Sequence, residues 1–466
     1  MRIQMDTNKD KNMERRQIYK RALALAVPMM IQNGITNAVG LVDNVMVGSL
    51  GTESMTAVSI AGQLFFVFFL AIFGGLSGPG IYSSQYFGQG NIEGVKDVFR
   101  LKWWISLFCL VVGTTIFLLW GNDLLSLYLQ GQEDGIDAAA TLHYGRQYML
   151  IMLLGLPPFV VTQIYANTLR ETGESMKPMI ASLCSVVADI CFNYLLIYGK
   201  FGLPRLEVRG AAVATVIARV VEMSVIVLWA HCGKEKYDFL HQVYHTLKVP
   251  GSMALAIIKK GLPIFFNEFL WAGGMAVMTQ CYSIRGLTVV AGLTISNALC
   301  NMLNVVFIAM GNAVGILSGQ MLGASEYEKA KRDSLRLMWF TGGMSLFLSV
   351  ILIVLSGVFP LVYDTSEKVR GYGTAFIVIT AFFFPIQGVL NSLYFTLRSG
   401  GKTVITFLFD GVYSWVICVP VAYFLCKYSI LSILAIFALV QSLDFIKVMV
   451  GYVLIKKGVW MNNLVA

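Results

Sequence analysis

Four residues in the first half of this chain have the side chains a small cation needs. Asp43 lies in VDNVMVG, late in an apolar run. Asp189 and Asn193, in SVVADICFNYLLIYG, stand four apart and so share one helix face. Thr215, in RGAAVATVIAR, can add a hydroxyl. Carboxylate, amide and hydroxyl oxygens are the ligands of hard cations. A carboxylate in hydrocarbon must be protonated, paired or bound to a cation. The four are therefore candidates for coupling to a proton or for a Na+ site. In the second half the corresponding candidate is Glu268, in GLPIFFNEFLWAGG, five residues after Pro263. It reads as an isolated acid serving as a substrate counter-charge or a proton site, because ionisable groups at that depth are costly unless they work. Arg219 with Glu222, and Asp444 with Lys447, are spaced three apart and read as self-neutralising structural pairs; Asp410 reads as an interfacial acid.

The elements that carry these residues are membrane spans. Apolar residues make up 57% of the chain and charged ones 13%, against about 25% charged in a soluble domain. Long apolar runs recur at 22–48, 55–82, 97–121, 140–166, 178–199, 210–231, 253–282, 288–320, 334–358, 374–396, 404–425 and 429–455. The first is too long for a signal peptide and carries Asp43. Lysines and arginines outside the runs fall 25 to one side and 7 to the other, with Lys200–Arg209 the discordant loop. This bias places both termini in the cytoplasm of a multi-pass cell-membrane protein. It also accounts for the net charge of +9, so no nucleic-acid partner is expected.

The chain is duplicated. At a shift of 235, Pro28 falls on Pro263, Gly51 on Gly286, Gly80 on Gly315, Gln85 on Gln320, Gly88 on Gly323 and Lys96 on Lys331. At 228, Pro157 falls on Pro385, Leu169-Arg170 on Leu397-Arg398, and Gly173 on Gly401. Six runs per copy make the repeats parallel. The expected fold is all-α integral membrane: twelve transmembrane helices in two six-helix bundles related by a pseudo-twofold axis along the membrane normal. The segments are a cytoplasmic lead-in (1–21), an N-lobe (22–231), a polar linker (232–252), a C-lobe (253–455) and a cytoplasmic tail (456–466). The copies differ in chemistry: Glu268 falls on Asn33, and Asp43 on Met278.

Eight dispersed cysteines, four histidines at run ends or in the linker, and the absence of CxxC, HExxH, GxSxG or a phosphate-cradling loop give no catalytic constellation. Neither an enzyme nor a resident cofactor is expected.

The segment from Pro28 through VDNVMVGSLGTESMTAVSIAGQ, the LPIFFNE opening of the seventh run, VGILSGQMLGA, and LR followed by Gly173 or Gly401 together resemble the multidrug and toxic compound extrusion (MATE) family over residues 18–456. The resemblance implies a monomeric efflux antiporter in the lipid bilayer. It would exchange organic cations for Na+ or H+ by rocker-switch alternating access between its lobes. It assigns Asp43, Asp189, Asn193 and Thr215 to the ion site, Glu268 to the C-lobe site and Pro28 to the helix-1 hinge. Where one branch carries a helix-10 aspartate this chain has Gln387, and its Asp189-then-Asn193 order places it between the NorM-like and DinF-like branches. The oxygens around Asp43 favour sodium slightly over the proton. The competing class is a lipid-linked precursor flippase, which needs a cationic cavity where this chain places acids.

Overall fold

The computed structural model describes residues 2–129, 137–233 and 237–466, so positions 234–236 of the expected linker lie outside it. Helices account for every expected run. In order they are α1 (Arg2–Gly48), α2 (Thr52–Gln89), α3 (Ile92–Leu127), α4 (Ala138–Leu153), α5 (Leu156–Glu171), α6 (Met176–Tyr198), α7 (Val208–Cys232), α8 (Gly251–Ser283), α9 (Leu287–Gly323), α10 (Tyr327–Ser356) and α11 (Glu367–Ser399). The last two runs are composite. The eleventh joins α12 (Thr403–Phe407) to α13 (Val419–Tyr428) through π-helical turns at Leu408–Val412 and Ser414–Cys418, and the twelfth is α14 (Ile433–Ser442) and α15 (Asp444–Lys456).

Among the described residues ten helices are long and apolar enough to cross a membrane, and a bent pair makes eleven. The twelfth expected span is α8, 33 residues long. Asn267 and Glu268 dilute its apolar character. The bent pair is α4 with α5, which meet at 49° where a single run was expected. The cause is in the sequence: Pro157 and Pro158 follow Gly155 and remove two consecutive backbone donors. By contrast Pro28 sits inside an uninterrupted α1, and Pro385 inside an uninterrupted α11.

Contacts divide the chain into two compact units. One is Ile31–Ser83 with Ile92–Ile257, and the other is Met1–Met30, Ser84–Asn91 and Ile258–Ala466. The chain thus leaves the second of these units two residues after Pro28. Within that unit Ile18, Ala22, Leu25, Ala26 and Met29 of α1 pack on Ala309, Met310, Ala313, Val314 and Leu317 of α9.

The repeated Gln-x-x-Gly is explained in the same unit. A Cβ on Gly88 would overlap the carbonyl of Gln320, and a Cβ on Gly323 the carbonyl of Gln85. The two copies of the motif cross backbone to backbone, a contact open only to glycine. Gln85 then binds the tail: its Nε2 donates to Ser399 O at 2.8 Å and Asn462 O at 3.2 Å, and its Oε1 accepts from Leu464 N at 2.8 Å. The expected cytoplasmic tail therefore folds back, with Trp460 fully buried.

Gly323→Ala should lower stability by about 1–3 kcal/mol through overpacking. Gly343→Ala, where no atom lies within 4 Å of the added methyl, should not. Thermal unfolding of the two variants in detergent checks this.

Candidate functional site

In the unit formed by Ile31–Ser83 and Ile92–Ile257, three helices bring the predicted oxygen ligands together. The i, i+4 spacing stacks Asp189 and Asn193 on α6, and α1 delivers Asp43 from 150 residues away. The Asn193 amide nitrogen donates to Asp43 Oδ1 at 2.9 Å and to Asp189 Oδ2 at 3.2 Å. One NH2 group thus holds two carboxyl groups side by side. Asp189 and Asn193 are buried, and Asp43 is partly so. Thr215, on α7, back-bonds to Ala211 O at 3.1 Å, and its hydroxyl stands beside Asp189 and Tyr148.

The cluster is short of donors. Asp189 Oδ1 and Asn193 Oδ1 are buried and have no hydrogen-bond partner. Such orphaned acceptors cost about 1–3 kcal/mol each, more where a charge is involved. Two adjacent carboxyls beside such unpartnered oxygens are satisfied by a proton or by a hard cation with oxygen ligands. Asp43, Asp189, Asn193 and Thr215 offer oxygen ligands and neither the imidazole nor the thiolate that a transition metal selects.

Basic residues secure the surrounding helices. Arg219 donates to Gly155 O at 3.3 Å, at the α4–α5 break, and lies 5.1 and 5.3 Å from the ring centroids of Phe69 and Phe159. Its hydrogen bond and ring contacts are at that break, and not with Glu222, the partner read from spacing. Lys102, fully buried on α3, donates to Thr168 Oγ1 at 2.8 Å and closely to Glu171. Arg170 donates to Gln32 Oε1 at 2.7 Å. Its repeat partner, Arg398, does the corresponding work in the other unit.

There Glu268 is not the isolated acid expected from sequence. Its Oε1 lies 4.0 Å from Arg398 Nη1, with side chains only 12% and 9% exposed. Beside it, Asn267 donates to Tyr394 OH at 3.2 Å and to Asp410 Oδ2 at 3.1 Å, while its Oδ1 accepts from Gly411 N at 2.9 Å. The π-helical turn carrying Asp410 is thereby tied to α8. Such turns recur at functional sites. Asp410 also pairs with Lys447 at 3.7 Å, so it is part of an internal network rather than an interfacial acid. Lys447 pairs in turn with Asp444 at 3.4 Å, and Asp444 accepts a close hydrogen bond from Gln387. Spacing alone disclosed the Asp444–Lys447 pair but not its third member, which comes from another span. Asn267, a second polar residue beside Glu268 in an apolar run, was the legible signal of this network.

A duplicated, multi-span helical chain that keeps carboxylates inside hydrocarbon, held by side-chain donors, has the architecture of a secondary transporter. The MatE family model matches residues 28–195 and 263–424, and the chain belongs to that family, the MATE transporters. It is 25% identical over 423 residues to the "Probable multidrug resistance protein YoeA" of Bacillus subtilis, covering 90% of this chain and 89% of that one. It is 24% identical over 426 residues to the "Probable multidrug resistance protein NorM" of Thermotoga maritima, covering 90% and 88%. Its fold matches the crystal structure of a single-residue variant of the Vibrio cholerae MATE transporter VcmN with a TM-score of 0.82 at 17% identity, over 95% of this chain and 97% of that one.

Removing one partner of a buried ion pair leaves the other charge stranded, at about 3–5 kcal/mol. Arg398→Met should therefore lower the unfolding temperature in detergent markedly. Adding Glu268→Gln should recover most of the loss. A double-mutant cycle with no coupling between the two positions contradicts the pairing.

Proposed function

We propose that this protein is a secondary active multidrug efflux antiporter. It exports organic cations in exchange for Na+ or H+ by alternating access, and it acts as a transporter rather than as an enzyme. The observation that carries the reading is the pair of carboxyls, Asp43 and Asp189, bridged by one amide, with Asp189 Oδ1 and Asn193 Oδ1 buried and unpartnered. Kinship with proteins named for multidrug resistance supports the substrate class.

The mechanism is exclusive occupancy. With Asp43 and Asp189 charged and unoccupied, the membrane interior of the protein carries uncompensated negative charge and attracts a lipophilic cation. Aromatic rings and methionines add cation–π and soft contacts. An entering Na+ is held by Asp43, Asp189, Asn193 and Thr215; an entering proton needs only the carboxyls. Either neutralises the cluster and weakens the hold on substrate. A ligand that binds two states equally shifts neither, so the ion must prefer the state that releases substrate outward. Pro28, which leaves a backbone acceptor unpaired inside α1, is the place where that helix can bend. Glu268, 4.0 Å from Arg398, supplies the counter-charge in the other unit. The lysine and arginine bias of the loops supports cytoplasmic termini.

Asp43→Asn should abolish ion-driven efflux from proteoliposomes and the drug resistance conferred on a sensitive host. Ion-dependent efflux that survives intact sinks the mechanism. Imposing a Na+ gradient and a proton gradient separately identifies the coupling ion, with sodium expected from the oxygen count. Glu268→Gln should change transport of cationic substrates with expression unaltered.

A further inference from the structure

The network around Lys447 brings three acids and two bases together within the second unit, and this points to a selectivity role that the ion site does not provide. Its members come from four spans. Glu268 and Asn267 lie on α8, Arg398 on α11, Asp410 in the π-helical turn after α12, and Asp444 and Lys447 on α15. Lys447 sits between the two aspartates at 3.7 and 3.4 Å, with only 9% of its side chain exposed and its ammonium 5.2 Å from the Tyr413 ring centroid. Neither aspartate is free to move away: Asp410 is held by Asn267 and Asp444 by Gln387. With all groups ionised, three acids (Glu268, Asp410, Asp444) face two bases (Arg398, Lys447), leaving a net charge of −1. Asp444 and Lys447 lie beyond the residues matched by the family model.

We propose that Lys447 is a specificity-determining residue: its ammonium is a built-in cation that limits the second unit to singly charged substrates. The inference rests on the reading of the protein as an exporter of organic cations. A net charge of −1 is matched by a monocation. A dication brings an extra positive charge near Lys447, and in a partly desolvated interior two like charges repel strongly. Discrimination by an internal repulsive group is a common route to specificity. Lysine suits the task because its compact ammonium on a flexible stem can lie between two carboxylates without the fixed geometry of a guanidinium.

The test is equilibrium binding to the purified full-length protein in detergent, with tetraphenylphosphonium as the monocation and methyl viologen as the dication. The readout is the ratio of the two dissociation constants, which a general loss of folding does not move. Lys447→Met should shift the ratio toward the dication by about tenfold, and Asp444→Asn should shift it the opposite way. Lys447→Arg, and the double variant Lys447→Met with Asp444→Asn, should both stay near the wild-type ratio. An unchanged ratio in Lys447→Met, or shifts of the same sign in the two single variants, overturns the proposal. Wild-type protein that binds neither probe refutes instead the reading of the protein as a cation exporter.

Discussion

A carboxylate moved from water into hydrocarbon loses solvation that only a proton, a cation or several hydrogen-bond donors can replace. That constraint organises both halves of this chain. In one, Asp43 and Asp189 share a single amide, and Asp189 Oδ1 and Asn193 Oδ1 are left without partners. In the other, Glu268, Asp410 and Asp444 are each paired with arginine or lysine. The first arrangement gathers acids without a basic partner; the second sets each acid within 4.0 Å of an arginine or lysine. A duplicated architecture thus holds two different electrostatic solutions.

The duplication survives where backbone geometry demands it. Gly88 and Gly323 approach the carbonyls of Gln320 and Gln85, so neither can acquire a side chain. Arg170 and Arg398 each reach back to a polar residue near the opening proline of their own copy. Elsewhere the copies have parted. The span carrying Pro157 is broken at Gly155 and braced there by Arg219, whereas the span carrying Pro385 is one continuous helix. The final spans of the second copy contain π-helical turns and a break before Asp444, which deliver Asp410 and Asp444 to the same lysine.

The end of the chain is integrated as well. Trp460 is buried against Gly400, whose missing Cβ leaves room for the tryptophan carbonyl, and Gln89 donates to Val465 O at 3.1 Å. A tail that composition marks only as a cytoplasmic extension is thereby bound to Ser84–Asn91 by side-chain amides. Its stability is coupled to the same glutamine-and-glycine crossing that the duplication preserves.

The sequence by itself determined the membrane class, the span positions, the duplication and the acids worth examining. These follow from local quantities: hydropathy over twenty residues, proline and glycine punctuation, and the cost of a charge in an apolar run. Helical spacing even placed Asp189 and Asn193 on one face. Only the tertiary structure decided which charges meet. Asp43 and Asn193 are 150 positions apart, and Glu268 finds Arg398 across a similar gap, where the sequence showed a lone acid. Asp444 and Lys447, self-contained on paper, gain Asp410 from a span whose π-helical turn no periodicity reveals. Pairing in a low-dielectric interior depends on distances of a few ångströms between helices, and helix packing, not chain order, sets those distances.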